Sequence, residues 1–339
     1  MRVIVDAWGT DAAPEPEIEG VVAALAGAND LSAILVGDAQ AITDTIRDLP
    51  AGLEVVNAPE RIETHEKPTD ALRYKRESSV AVGLRFLADG RGDAFVSAGN
   101  TGAVMAFSLK ELGTVKGVRR PGIAAFFPRR GGGYSLVMDV GANVDVKPHQ
   151  LEQFAIMGSL AYKHLFSAEN PRVGILSVGE EAVKGNALVL KTQELLKESG
   201  LNFVGFVEGH EILTSRADVI VMDGFVGNVI LKFGEGMASA VFGFLKDEMR
   251  GKPETFLGAL LMKRAIKGLL RKVDFEEYGG APLLGVNGLV MICHGRSGPR
   301  AIKNAILTLR RLHGEGLLGE IQREIAGHSV NSEQSRAGF

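Results

Sequence analysis

Four times in this chain an apolar run ends in glycine beside Asp or Asn and passes straight into a helical pattern, at residues 99–102, 139–143, 179–186 and 223–228. A strand that turns through glycine into a helix exposes backbone N–H groups and the positive end of the helix dipole. Anions bind at such ends. Strands and helices alternating in this way predict a parallel sheet covered on both faces, with ligands gathering outside the carboxyl ends of the strands. One such corner is a turn; four around one sheet make a site.

The corner at 173–186, VGILSVGEEAVKGN, is the richest. Val173–Val178 is short and β-branched enough for a buried parallel strand. Gly179 ends it, Glu180 and Glu181 follow, and Lys184-Gly185-Asn186 leads into ALVLKTQELLKE. Lys184 brings a full charge to an anion and Asn186 an amide donor. The same residues equally suit a plain turn with capping glutamates. The spacing resembles a nucleotide P-loop, but lysine and glycine stand in the wrong order and no Ser or Thr follows. No G-x-G-x-x-G occurs either, which weighs against a dehydrogenase.

Val3–Val5 is a first strand with Asp6 and Asp11 beyond its end, and a helix follows Pro14. Asp6 is placed for a site; Asp11 suits a site or a helix cap equally. SAILVGD and LEVVNAP continue the alternation. Residues 61–79 read as a polar surface loop entering a helix, with Arg73, Lys75 and Arg76 solvated or facing an acidic partner. Gly99-Asn100-Thr101-Gly102 forms a second anion-type corner with a hydroxyl donor. Asp139, Asn143 and Asp145 follow a strand end; their carboxylates could take a metal, but no histidine joins them at ligand spacing, so hydrogen bonds to loop backbone are expected and no metal. ADVIVM runs into Asp223, Gly227 and Asn228. Cys293 and His294 are adjacent, and successive strand residues point to opposite faces. Cys293 is therefore expected in the core and His294 at the site.

A single cysteine excludes internal disulfides and suits a reducing cytoplasm. The opening residues lack a signal-peptide pattern, and no stretch is expected to reach the roughly 20 apolar residues of a spanning helix. Residues 251–273 carry six Lys/Arg against one acid, Glu254, in a chain of net charge −3. A basic amphipathic segment protruding at about 236–273 from a single α/β domain (1–339) reads as a membrane-surface contact, a dimer interface or ordinary packing. The tail from Gly327 is expected to fray. No nucleic-acid partner and no cofactor is expected.

VDAWGTDAAP, VSAGNTGAVMA, MDVGANVDVKP, NPRVGILSVGEEAVKGN, DGFVGNVILK and EYGGAPLLGVNGLVMICHG span nearly the whole chain in order. Together they resemble the bacterial phosphate acyltransferase (PlsX) family. Trp8, Thr10 and Ala12 replace the Met, Gly and His of that family's usual opening motif, so no histidine role carries over there. The resemblance implies a Rossmann-like three-layer α/β/α sandwich related to isopropylmalate dehydrogenases and phosphotransacetylases. It implies a cytoplasmic homodimer at the inner face of the membrane that makes acyl phosphate from acyl-acyl carrier protein and inorganic phosphate. A glycerol-3-phosphate acyltransferase would use that product in phospholipid synthesis.

On this reading Lys184 neutralises phosphate or the developing oxyanion, while Asn100, Thr101, Asn186 and Asn228 donate hydrogen bonds beside the backbone of Gly99, Gly179, Gly185 and Gly227. Asp6, Asp139, Asp145 and Asp223 orient these groups, Asn143 and Glu180 join the binding loops, and His294 protonates the leaving thiolate. Two alternatives stay open: a phosphotransacetylase-like enzyme using acyl-CoA, and a non-catalytic protein that binds the carrier or a membrane surface.

Overall fold

The computed structural model describes residues 1–46, 48–179, 181, 183–249, 262, 264, 268 and 277–337. Among them, eleven strands form one sheet: β1 (Arg2–Asp6), β2 (Ser32–Gly37), β3 (Leu53–Asn57), β4 (Ala94–Ser97), β5 (Gly122–Pro128), β6 (Tyr134–Met138), β7 (Arg172–Leu176), β8 (Asn202–Val207), β9 (Val219–Val221), β10 (Ala281–Leu284) and β11 (Leu289–Ile292). Their order is β3-β2-β1-β4-β11-β10-β5-β6-β9-β7-β8.

Alternation along the strands builds three layers. Val3 and Val5 join the core under α1 (Glu15–Leu25), α6 (Pro148–Phe166) and α9 (Pro299–Gly314), while Ile4 joins the core under α4 (Ser79–Ala88) and α5 (Thr101–Glu111). Each fully buried Val or Ile contributes about 1.5–3 kcal/mol. A central strand buried on both faces therefore reads as an unbroken apolar run.

The sheet is mixed, which corrects the expectation of a parallel one. β10 runs antiparallel to both β11 and β5, and β5 antiparallel to β6. The cause is local. β5 and β6 are joined only by Arg129–Gly133, whose three glycines take φ of 97°, 106° and 78°, and so short a link permits only antiparallel pairing. Three reversals then separate the parallel group β1, β2, β3, β4, β11 from the parallel group β6, β9, β7, β8. The glycine corners therefore do not line one edge. The corners after β1, β4 and β11 leave the sheet in one sense, those after β6, β7 and β9 in the other.

Helix α8 (Gly224–Met249) begins at the corner after β9 and brings Lys232 and Glu235 near His294 in the loop after β11. Gly224 and Gly227 press its start onto the loop after β6, and Phe127 of β5 lies beside Gly234. Phe225, Val229, Phe233, Met237, Val241 and Phe244 lie exposed along it. By length and composition alone its Gly224–Glu248 stretch could cross a membrane, one 18-residue window within it having mean hydropathy 1.2, but Lys232 and Glu235 interrupt the run, as the sequence led one to expect. The basic part of the expected protrusion, from residue 250, falls outside the described residues apart from Met262, Arg264 and Gly268. The chain from Leu317 to Ala337 is one helix, α10, so the fraying expected from Gly327 gives way to continuous helix.

Candidate active site

The first group of corner residues sits at the ends of β1, β4 and β11. Asp6 is buried and accepts from Ser97 Oγ (2.6 Å) and the Trp8 N–H (3.0 Å). Burial pushes its carboxyl up, and hydrogen bonds from Ser79, Ser97 and Trp8 with the Arg61 charge oppose the rise. Gly99 N–H donates to Ser97 Oγ (3.0 Å), so Gly99, Ser97 and Asp6 form one chain of bonds. The loop beyond Asp6 is held by Glu17 on α1, which is 0% exposed. Glu17 accepts from Thr10 N–H (2.6 Å) and Thr10 Oγ1 (3.0 Å), while Arg61 donates to the Thr10 carbonyl (2.9 Å). Asp11 N–H bonds the Gly295 carbonyl (2.7 Å), joining this loop to the one after β11.

His294 lies in that second loop. Its Nδ1 accepts from the Arg296 N–H (3.1 Å), which leaves the ring proton on Nε2. Burial pulls its pKa down; Glu235, Lys232, Arg296 and Asp11 are its charged neighbours. Near neutral pH the ring is thus an uncharged donor. Cys293 is buried, its thiol pushed far up by burial, so it is no nucleophile. Trp8 Nε1 and Ser297 Oγ are buried here without a hydrogen-bond partner among the described residues. Unsatisfied buried donors of this kind mark a place where a polar ligand or water belongs.

Asn100 turns out to be fully engaged. Its Oδ1 caps α5 through the Ala103 N–H (3.0 Å), and its amide donates to the carbonyls of Glu63, Thr64 and Glu66. Thr101 beside it is exposed at the first position of α5.

The second group follows β6 and β9. Asp139 is buried, its carboxyl raised by burial, and accepts from the N–H groups of Ile123, Gly141, Ala142 and Asn143. It also takes the Asn143 amide (2.9 Å), which in turn donates to the Pro121 carbonyl (2.7 Å). Asp223 caps α8 by accepting from Val226 N–H (2.9 Å). A Cβ on Gly227 would land on the Asp139 carbonyl oxygen, so this close approach requires glycine. Asn228 faces Gly141, exposed. Asp145 is exposed in the loop before α6.

The third group is the corner after β7. Lys184 pairs with Glu181 (2.8 Å), and both are half-exposed or more. The Glu181 carboxylate raises the lysine pKa, so the ammonium charge persists. Asn186 caps α7 (Ala187–Glu198) through the Val189 N–H (2.9 Å). Gly185 takes φ 133°, and Ser177 Oγ bonds the Lys184 carbonyl (3.1 Å). Gly179 lies against the Lys184 stem. Glu180 falls outside the described residues.

Asn100, Asn143, Asn186, Asp6, Asp139 and Asp223 thus spend their side chains on loop backbone, caps and one another. Thr101 and Asn228 are exposed, Lys184 is exposed beside Glu181, and His294 lies in the loop after β11; with the glycine N–H groups these are the candidates to meet a substrate. Glu17, Ser97 and Arg61 escaped the sequence reading. Glu17 did carry a signal: it shares the spacing of Val21 and Ala24, the face of α1 that is buried.

A family described as "fatty acid synthesis protein" matches residues 1–318. The chain is 47% identical to a phosphate acyltransferase of Heliobacterium modesticaldum, covering 96% of this chain and 98% of that protein. A phosphate acyltransferase of Halothermothrix orenii is 45% identical over the same shares. Among solved structures, a phosphotransacetylase from Streptococcus pyogenes superposes with TM-score 0.59 at 16% identity, covering 92% of this chain and 94% of that one. At that identity the likeness is one of fold.

Proposed function

The chain belongs to the phosphate acyltransferase family and is an acyltransferase, and on that premise we propose that it makes acyl phosphate from acyl-acyl carrier protein and inorganic phosphate, early in phospholipid synthesis. The observation that carries this reading is 47% identity to a phosphate acyltransferase over 96% of this chain and 98% of that protein.

A phosphate oxygen attacks the thioester carbonyl. The C–O bond forms, the carbonyl becomes an oxyanion, and collapse breaks the C–S bond to release the carrier thiolate, which takes up the proton that hydrogen phosphate loses in becoming the acyl phosphate. Phosphate is already nucleophilic and the thiol leaves with a pKa near 8.5, so orientation and charge stabilisation suffice. Lys184 neutralises phosphate after exchanging Glu181 for it. That exposed ion pair contributes little, so the exchange is easy. Asn228, Thr101 and the glycine N–H groups donate hydrogen bonds. His294, neutral with its proton on Nε2, serves as an oxyanion donor, and the Asp and Asn side chains hold the loops in place.

The exposed apolar residues of α8 support a homodimer, and the composition of 251–273 supports peripheral contact with the inner membrane face. The test is acyl phosphate formation from a carrier-bound palmitoyl group and phosphate, with acyl-CoA as the competing donor. Lys184→Ala should lower kcat by about 10²–10³. Near-normal turnover would remove Lys184 from the chemistry; a preference for acyl-CoA would change the donor.

A further inference from the structure

A charge drawn out of water is normally met by an opposite one. The partly buried arginines of this protein follow that rule: Arg2 pairs with Glu54, Arg85 with Glu77, Arg129 and Arg172 with Asp218, Arg216 with Glu211 and Arg310 with Asp30. Arg61 is the exception. It is partly buried too, yet it forms no ion pair among the described residues.

The segment that carries Arg61 is fastened on both sides of it. Ile62 is buried in the core, and the Glu60 carbonyl accepts from the Ser79 N–H at the start of α4 (3.3 Å). The carbonyls of Glu63, Thr64 and Glu66 take the Asn100 amide, which ties the segment to the corner after β4. The guanidinium reaches the loop after β1. Its Nη2 donates to the Thr10 carbonyl (2.9 Å), and its carbon stands 5.8 Å from the centre of the Trp8 ring, within cation–π range. A guanidinium has five N–H donors, and the bond to Thr10 is the one it makes among the described residues. Asp6 feels the Arg61 charge, but the Asp6 oxygens accept from Ser97 Oγ and the Trp8 N–H.

We propose that Arg61 binds the substrate phosphate, offering its remaining N–H donors to phosphate oxygens beside the corners after β1 and β4, with the Trp8 ring and the Thr10 carbonyl holding the guanidinium in position. This rests on the reading that phosphate is the acyl acceptor. A planar guanidinium matches a pair of phosphate oxygens, and here no carboxylate has to leave first. Lys184 differs in that respect, because it must release Glu181. Partial burial strengthens each charge-assisted hydrogen bond that Arg61 makes. A cation that is ready before phosphate arrives holds it equally in the ground state and the transition state. It therefore lowers KM for phosphate and leaves kcat to Lys184.

Trp8 is the only tryptophan of the chain, so its fluorescence reports on the Arg61 guanidinium directly. Inorganic phosphate is titrated into the full-length protein against chloride at equal ionic strength. Wild type should give a saturable change, Arg61→Gln none, and Arg61→Lys, which keeps the charge, a weakened one. In steady-state turnover Arg61→Gln, whose amide can still donate to the Thr10 carbonyl, should raise KM for phosphate at least about 10-fold. Its kcat and its KM for carrier-bound palmitate should stay as in wild type. No phosphate response in wild type overturns the inference, and this arm decides the matter even if the variants fail to fold. Loss of kcat at unchanged KM for phosphate overturns it too, because Arg61 would then only tie down the opening loop. So does a rise in KM for the carrier substrate alone, which would hand the guanidinium to the phosphodiester of the carrier's arm. A wild type that binds phosphate through Arg61 yet forms no acyl phosphate would sink the proposed reaction and leave the phosphate site standing. An active wild type matched in every constant by Arg61→Gln would do the reverse.

Discussion

Glu17 is a carboxylate in a place that disfavours its charge. Burial lifts its pKa to about 7, and the Asp6 charge adds to the rise, while the Thr10 donors work against it. Cys293 also feels it from the β11 side. Because the folded value stands above the 4.5 of the free side chain, the folded state holds more protons between about pH 4.5 and 7. Stability from this group is therefore present at low pH and falls as pH rises through that window, by about 3 kcal/mol in all. His294 is shifted the other way and contributes the opposite slope near neutrality. The comparison that isolates Glu17 is wild type against Glu17→Gln, whose amide can keep both Thr10 contacts. Urea unfolding at pH 5 and pH 8 should lose the Glu17 contribution to the pH difference in the variant; identical pH profiles would refute the assignment.

At the scale of elements, α8 is positioned by a backbone contact. Gly227→Ala should push the helix off the Asp139 loop, costing about 1–3 kcal/mol and reducing turnover. Gly236→Ala, with no atom within 4 Å of the added Cβ, should stabilise by about 0.5–1 kcal/mol through helix propensity. Thermal unfolding of the pair checks both signs. Elements of this kind were largely legible beforehand. Apolar runs such as Val3–Val5 and Val219–Val221 read as buried strands and are, whereas Gly224 and Gly227, read as part of a corner, lie inside α8. The roles of Asn100, Asn186 and Asp223 were not legible, because capping a helix and binding an anion call on the same short polar side chains at the same position. The strand directions near β10 were not legible either, since β5 and β10 pair residues far apart in the sequence, Ile123 with Leu283 and Gly122 with Leu284.

For the whole molecule, a helix with Phe233 66% and Phe244 68% exposed asks for a partner surface. If that surface is a second copy, Phe233→Asp/Phe244→Asp should convert a dimer to a monomer in analytical ultracentrifugation. An unaltered dimer would place the interface elsewhere. The family could be read from ordered motifs along the whole sequence, but the division of the glycine corners into two senses could not, because it depends on three strand reversals in the middle of the sheet. Those reversals also set a timetable. β4 (Ala94–Ser97) has β11 (Leu289–Ile292) as its neighbour on one side, so the first parallel group is completed by the last strand to be made. At 5–20 residues per second, a ribosome needs roughly 10–40 s to cover the interval. Throughout it, the nascent β4 holds an open edge that must be shielded from other chains before synthesis supplies the strand that closes it.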